Sequence, residues 1–129
     1  MQFPDPWDNR RHEKRRLLSP AFAQACAKVL PSGGQLYVSS DAEELAMAMR
    51  HTVKASGHFK LTSPESFAAA FDFDSSPEAQ TVPTRQVQMQ GEINDAGWVS
   101  LNPFGVPTER DQVCETMWRD TWRVLWTRL

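Results

Sequence analysis

Several features that are typical of metal-binding, secreted or membrane proteins are scarce in this sequence. Its 129 residues include only two cysteines, Cys26 and Cys114, which lie far apart and do not have the spacing of metal ligands. We therefore expect no metal site, and we expect both thiols to be buried in a protein of a reducing, intracellular compartment. No apolar run approaches the ~20 residues needed to cross a bilayer, and residues 1–6 lack the apolar stretch of a signal peptide. These absences predict no contact with a membrane.

The remaining composition is typical of a globular domain, with 40% hydrophobic and 23% charged residues. The net charge of -2 is unevenly distributed. Residues 64–96 hold six acidic residues against Arg85 alone, whereas residues 1–16 hold three acidic residues against five cations, namely Arg10, Arg11, Lys14, Arg15 and Arg16. A basic segment of this density favours contact with phosphates, and a solvated helix start is the alternative interpretation.

Local signals in the first half predict a helix, a strand and a second helix. Ser19 followed by Pro20 marks a helix start, whose inner face we assign to Phe22, Cys26, Val29 and Leu30. Residues 35–40 are predicted to form a buried strand. Ser40 and Glu43 have the spacing of a capping box, and the helix that follows carries an apolar face of Leu45, Ala48, Met49, Thr52 and Val53. This alternation predicts an α/β fold with a mainly parallel sheet.

The second half contains less regular patterning. Residues 58–62 are a further candidate strand, and the acidic residues 64–96 are predicted to be an insertion or mobile loop between the core elements 1–63 and 97–129 of one partial domain. Residues 108–119 are predicted to form a helix capped by Thr108. Residues 121–128 suit a closing strand with three side chains on one face, Trp122, Val124 and Trp126. A helical stripe through Trp118, Trp122 and Trp126 is the alternative.

The most unusual local feature is Phe3-Pro4-Asp5-Pro6-Trp7. Pro4 fixes its own φ and Pro6 excludes helical geometry at Asp5, so the carboxylate is carried on a stiff, extended loop. Such stiffness is useful where a side chain must be positioned before its ligand arrives. An ordinary proline-rich turn is the structural alternative.

Three motifs in order identify a family. FPDPW is followed after two residues by Arg10-Arg11-His12-Glu13-Lys14-Arg15-Arg16, and here the sequence closely resembles the tRNA (guanine-N7-)-methyltransferases, which have FPDPW and then a basic run ending in KRR. LYVSSD at residues 36–41 is similar to the family's strand ending in Thr/Ser-Asp. NPFGVPTER at residues 102–110 resembles the NP…PTER segment of cyanobacterial and plastid-type members. The resemblance covers nearly the whole chain except residues 64–96.

The resemblance implies the C-terminal half of a Rossmann-like, class I S-adenosylmethionine-dependent methyltransferase fold. It implies that Asp5 is the catalytic carboxylate, next to the methyl donor. It also implies that the substrate guanosine and its surroundings are held by Asp41 and by the turn of Thr108, Glu109, Arg110 and Asp111. One departure is Asn9, which stands where family members usually have a lysine thought to contact substrate. We expect Asn9 or Arg10 to make that contact.

The chemistry of methyl transfer to guanine N7 agrees with these residue types. N7 carries a lone pair at neutral pH, so attack on the methyl group needs positioning and no general base. Methylation leaves the guanine cationic, and the carboxylates of Asp5 and Asp41 would stabilise that charge. Five side chains would hold tRNA phosphates, with His12 as a neutral hydrogen-bonding neighbour: Arg10, Arg11, Lys14, Arg15 and Arg16.

The glycine-rich turn with which the family binds S-adenosylmethionine has no counterpart here. Gly33-Gly34 follows a helix and leads into a strand, which indicates helix capping. We therefore expect a partial enzyme that needs a missing N-terminal half or a partner subunit. A non-catalytic RNA-binding or accessory module is the second hypothesis. Both the cytoplasm and a plastid agree with the sequence as the compartment of the protein.

Overall fold

The computed structural model of the protein describes residues 1–5, 16–69 and 91–129. Within these residues it contains four helices, α1 (Pro20–Val29), α2 (Glu43–Ala55), α3 (Pro64–Ala69) and α4 (Glu109–Thr116). It also contains three strands, β1 (Gln35–Ser40), β2 (Phe59–Leu61) and β3 (Trp122–Arg128). None of the helices in this part of the chain has the length and apolar character of a membrane span.

The three strands form one sheet in the order β1-β3-β2, and β3 is antiparallel to both neighbours. The expectation of a mainly parallel sheet is therefore wrong for the named strands. β1 and β2 nevertheless run in the same direction, because each is antiparallel to β3, and α2 forms the crossover between them. A parallel bridge between Gln2 and Ser39 adds a fourth chain segment beside β1. The direction of β3 is set by the route of the chain after α4, which no local pattern encodes.

Helix α1 begins as its sequence predicts. Ser19 is the N-cap, its side chain accepts a hydrogen bond from the amide of Phe22, and Pro20 opens the helix. The prediction for its inner face is wrong at Val29, which is 80% exposed, whereas Ala23 and Ala27 are buried. At 3.6 residues per turn, Val29 lies about 120° around the helix from Ala23 and therefore faces solvent.

Helix α2 has the predicted inner face but not the predicted cap. Leu45, Met49 and Val53 are buried. Ser40 does not cap the helix, because it belongs to β1 and its hydroxyl accepts from the amide of Ala42, the residue that occupies the N-cap position. Because α2 begins almost directly after β1, the Ser40–Glu43 pattern lies two residues before the observed N-cap, Ala42.

Two apolar clusters cover the two faces of the sheet. The first lies under α1 and α2 and is centred on Val38, Val124 and Trp126, of which Trp126 is only 1% exposed. The second contains Tyr37, Phe67, Val99 and Leu125, and it is covered by α3 and by residues 91–100. The strand prediction for residues 121–128 is confirmed and the helical alternative is wrong, because β3 contributes alternate side chains to the two clusters.

The segment predicted as an insertion is structured at both ends. Residues 64–69 form α3, and Ile93 forms a bridge with Val99. Phe67 is buried in the second cluster. Phe67 and Ile93, which lie between the predicted core elements 1–63 and 97–129, thus pack in the second cluster. Residues 70–90 lie outside the described residues.

Candidate functional site

Asp5 and Asp41 lie beyond the ends of two neighbouring, parallel chain segments. The amide of Phe3 donates to the carbonyl oxygen of Ser39 at 2.8 Å, and the amide of Ser39 donates to that of Met1 at 3.0 Å. Asp5 follows this bridge on one segment, and Asp41 follows it on the other. Both residues therefore follow the same end of this pair of parallel segments, Asp5 after a turn at Phe3, whose φ is 46°.

The start of α4 reaches this end of the two segments through Arg110. Its guanidinium donates a hydrogen bond to Oδ2 of Asp41, and this hydrogen bond raises the pKa of Arg110. Arg119 places a second guanidinium nitrogen 3.9 Å from the same oxygen. Within the described residues, Oδ1 of Asp41 makes no hydrogen bond. The side chain of Asp41 is 18% exposed, so this carboxylate is held by two arginines while one oxygen keeps its capacity to accept.

Asp111 organises the loop that leads into α4. Its Oδ2 accepts from the Thr108 amide at 2.9 Å and from the Thr108 hydroxyl at 2.8 Å. The amide of Asp111 donates to Oγ1 of Thr108 at 3.1 Å, which completes a capping box. Oδ2 of Asp111 also accepts from Nδ2 of Asn102 at 2.9 Å, and Oδ1 accepts from Arg123 on β3 at 3.2 Å. Asp111 is 5% exposed. It therefore fixes α4 to both the preceding loop and the sheet.

Electrostatics at Asp111 favour the charged form. Burial works to raise the pKa of this carboxyl, but the hydrogen bonds from Thr108, Asn102 and Arg123 outweigh burial and lower its pKa below the ordinary value. On the same face of the sheet, burial raises the pKa of Tyr37 to about 12, so its hydroxyl stays protonated at neutral pH. Its ring packs edge-to-face against Phe104 at 5.3 Å, which adds an apolar contact beneath the Asn102 loop.

Asn102 joins the NPFGVPTER motif to the residue that precedes FPDPW. Its side-chain amide donates to Oε1 of Gln2 at 3.3 Å, as well as to Asp111. Residues 102–111 are thereby fixed to the segment that precedes Asp5. The LYVSSD motif is joined to NPFGVPTER through the ion pair between Arg110 and Asp41.

The space beside Asp5 is small. Asp5 and Arg16 line one cavity of about 50 Å³ together with residues of α2. A larger groove of about 420 Å³ is lined by residues 92–94, 98–100 and 120–122, and so includes neither Asp5 nor Asp41. Sites for ligands the size of S-adenosylmethionine occupy roughly 300–1,000 Å³. The cavity beside Asp5, as far as the described residues line it, is smaller than this range.

Arg16 is the one cation of the basic segment that the structure describes. Asn9, Arg10, Arg11, His12, Lys14 and Arg15 lie outside the described residues. Arg16 is described, is partly buried and lines the same cavity as Asp5. The structure thus brings Arg16 together with Asp5, and Arg110 together with Asp41. Thr108 and Asp111 are engaged in the capping box, and Glu109 is an exposed residue of the first turn of α4.

Sequence reasoning missed Asn102, Arg119 and Arg123 as contributors to this site. Asn102 could have been found, because it opens the NPFGVPTER motif. Arg119 and Arg123 carried no local signal, since each finds its carboxylate through long-range packing. Among the described residues no group of His, Cys, Asp and Glu side chains could hold a metal ion.

Comparison with known proteins gives a consistent result. A protein of Synechocystis sp. named tRNA (guanine-N(7)-)-methyltransferase is 32% identical over 128 residues, which is 99% of this chain and 46% of the relative. A protein of the same name from Parasynechococcus marenigrum is 35% identical over 128 residues, or 42% of its length. One from Thermosynechococcus vestitus is 44% identical over 62 residues, which is 48% of this chain and 29% of the relative. The chain spans less than half the length of these relatives.

The family assignment made from the motifs is confirmed. A family model described as "Putative methyltransferase" matches residues 1–96, which contain the FPDPW segment, the basic run and β1. The same residues carry Asp5 and Asp41, which follow the same end of two parallel segments. The chain therefore belongs to this methyltransferase family.

Proposed function

We propose that this chain is the acceptor-binding and catalytic part of a tRNA (guanine-N7-)-methyltransferase with a Rossmann-like, class I fold. The observation that carries the proposal is the common position of Asp5 and Asp41 beyond the same end of two parallel segments, with α4 attached to Asp41 through Arg110. In open α/β sheets, the ends of parallel strands are where ligands bind. The names of the relatives supply the substrate class.

The fold proposal rests on the direction of the chain segments. β1, β2 and the segment around Gln2 run the same way, and helices lie on both faces of the sheet. Doubly wound folds often include one antiparallel strand at the edge of an otherwise parallel sheet, and here the reversed strand β3 lies between β1 and β2. We therefore propose that β1, α2 and β2 are one crossover unit of a larger parallel sheet.

Asp41 is proposed to bind the guanine base. Its Oδ1 would accept a hydrogen bond from the N1–H or the exocyclic amino group of guanine, while the two arginines hold Oδ2. Base edges in unpaired RNA are commonly read in this way. Fixing the base would direct its N7 lone pair without a proton transfer.

Asp5 is proposed to lower the barrier through its charge. Guanine becomes cationic as N7 acquires the methyl group, and a carboxylate on a loop fixed by two prolines would stabilise that charge without reorganising. The five cations of the basic segment would meanwhile bind tRNA phosphates, a contribution that is salt-dependent and carries little sequence information.

The methyl donor of such an enzyme is S-adenosylmethionine, which supplies the electrophilic methyl group when bound. The adjacent glycines of the sequence, Gly33-Gly34, follow α1 and lead into β1, and the cavity beside Asp5 is small. We propose that most of the donor site is supplied outside this sequence. The compartment in which such an enzyme works is proposed to be a reducing one.

The test is a chimera in which these 129 residues replace the matching 46% of the Synechocystis relative. Single-turnover methylation and tRNA binding are measured at two salt concentrations for two variants. Asp5→Ala should slow the chemical step about a hundredfold and leave binding intact. Arg15→Ala/Arg16→Ala should weaken binding. It should also reduce the slope of log affinity against log salt concentration by about two, since each phosphate contact contributes about one to that slope.

The two variants also separate the alternative hypothesis. If Asp5→Ala abolishes tRNA binding but leaves the chemical step unchanged, Asp5 is a structural residue of its loop and the proposal is wrong. If the chimera binds tRNA and never methylates it, although the parent relative does, this chain is an accessory RNA-binding module.

A further inference from the structure

The end of helix α4 contains a tryptophan in a backbone conformation that favours glycine. After the C-cap Met117, Trp118 has φ 53°. The amide of Trp118 donates to the carbonyl of Glu115 at 3.2 Å, and that of Arg119 donates to the carbonyl of Cys114 at 2.8 Å. These two hydrogen bonds form a Schellman motif, in which the left-handed position is usually occupied by glycine because a side chain is strained there.

Among the described residues, no packing of the Trp118 side chain compensates for this strain. Trp118 is 96% exposed, whereas Trp126, which packs in the core, is 1% exposed. A large aromatic ring that projects into water from a strained backbone stabilises neither its helix nor the core. Trp118 is therefore the one exposed tryptophan among the described residues, and its side chain is available to a partner.

The surroundings of Trp118 indicate the kind of partner. Its neighbour Arg119 approaches Asp41, as does Arg110, and both guanidiniums are about half exposed. Two arginines share one carboxylate, which leaves a net positive charge beside the ring. Three exposed carboxylates near the ring along the chain more than offset this positive charge, namely Glu109, Glu115 and Asp120. Charge alone would therefore bind an anion poorly here, and the flat face of the indole must contribute most of any contact.

We propose that Trp118 stacks on an unpaired base of the tRNA next to the guanine held at Asp41. Stacking on an exposed aromatic ring is the common mode by which proteins bind splayed bases, and it tolerates any base. The nearby arginines would face the phosphates of the same nucleotides. This inference rests on the proposed function, since it requires tRNA as the ligand.

The test uses tRNA binding and thermal unfolding of the 129-residue chain. Trp118→Gly relieves the backbone strain and removes the ring, so the melting temperature should rise by about 3 °C while tRNA affinity falls about tenfold. The salt dependence of binding should not change, because a stacking contact releases no counterions. Trp118→Phe should keep most of the affinity. Val29→Ala, which trims another exposed apolar side chain, is the matched control and should have no effect.

The possible failures are distinguishable. If the wild-type chain binds tRNA and Trp118→Gly binds it equally well, the stacking inference is overturned and the proposed function stands. If the wild-type chain binds no tRNA at any salt concentration, the proposed function fails and the inference fails with it. If Trp118→Gly instead converts a dimer into a monomer in sedimentation, the ring belongs to a protein interface and the inference is wrong.

Discussion

Replacement of Asp111 by alanine should remove a large part of the protein's stability. The carboxylate is 5% exposed and forms an ion pair with Arg123, whose side chain is 13% exposed. Removing one partner of such a buried pair costs about 3–5 kcal/mol, because the other charge is left without a partner. Loss of the capping box around Thr108 adds about 1 kcal/mol.

These two contributions are not fully additive, because one carboxylate makes both. We expect a total loss of about 4 kcal/mol. That is a large part of the roughly 10 kcal/mol by which a domain of this size is stable. For a chain of this length it corresponds to a fall in melting temperature of about 15 °C.

Thermal and urea unfolding of the 129-residue chain would measure the loss. Glu109→Ala is the matched control, since it removes an exposed carboxylate from the same first turn of α4 and should cost less than about 1 kcal/mol. The double variant Asp111→Ala/Arg123→Met should regain at least half of the loss, because it also removes the isolated guanidinium. If Asp111→Ala is no more harmful than Glu109→Ala, the network around Asp111 does not hold α4 to the sheet.

The carboxyl group of Asp111 should also make the protein's stability fall at acid pH, and binding of the methyl donor can be measured independently. Since the folded pKa of Asp111 is lowered, its stabilising effect is present above the unfolded pKa of about 3.9 and is lost as pH falls through the lower folded pKa. The wild type should therefore lose more stability between pH 5 and pH 3 than Asp111→Ala does, and equal losses would contradict this. Calorimetry with S-adenosylmethionine should detect no binding to the 129-residue chain, and a micromolar dissociation constant would show that a donor site is present.

Local sequence signals predicted the starts of helices where the cap is a neighbour in the chain. Ser19-Pro20 and Thr108 were both correct, because an N-cap is decided by three or four consecutive residues. Ser40 failed for a related reason, since its strand continues to that residue and its hydroxyl turns the chain instead. The end of α4 at Thr116, three residues before the predicted end, follows from the left-handed residue Trp118, for which composition gives no warning.

The site was predictable only in part, since some of its residues belong to motifs and others arrive by packing. FPDPW singled out Asp5, and the strand ending in Ser-Asp singled out Asp41. That Asp41 is held by Arg110 and Arg119 depends on where α4 docks, which is decided by the buried contacts of Asp111 with Asn102 and Arg123. Pairing between residues as far apart as Asp41 and Arg110, which are 69 positions apart, leaves no periodic trace in one sequence.

The proposed function is tested most directly by the product of the chimera with the Synechocystis relative. Unmethylated tRNA is incubated with the chimera and S-adenosylmethionine, then digested to nucleosides that are identified by mass spectrometry against authentic methylguanosine isomers. The account predicts 7-methylguanosine, formed about a hundredfold more slowly when Asp5 is replaced by alanine. Methyl groups at another position of guanine, or 7-methylguanosine formed at an unchanged rate by Asp5→Ala, would contradict it.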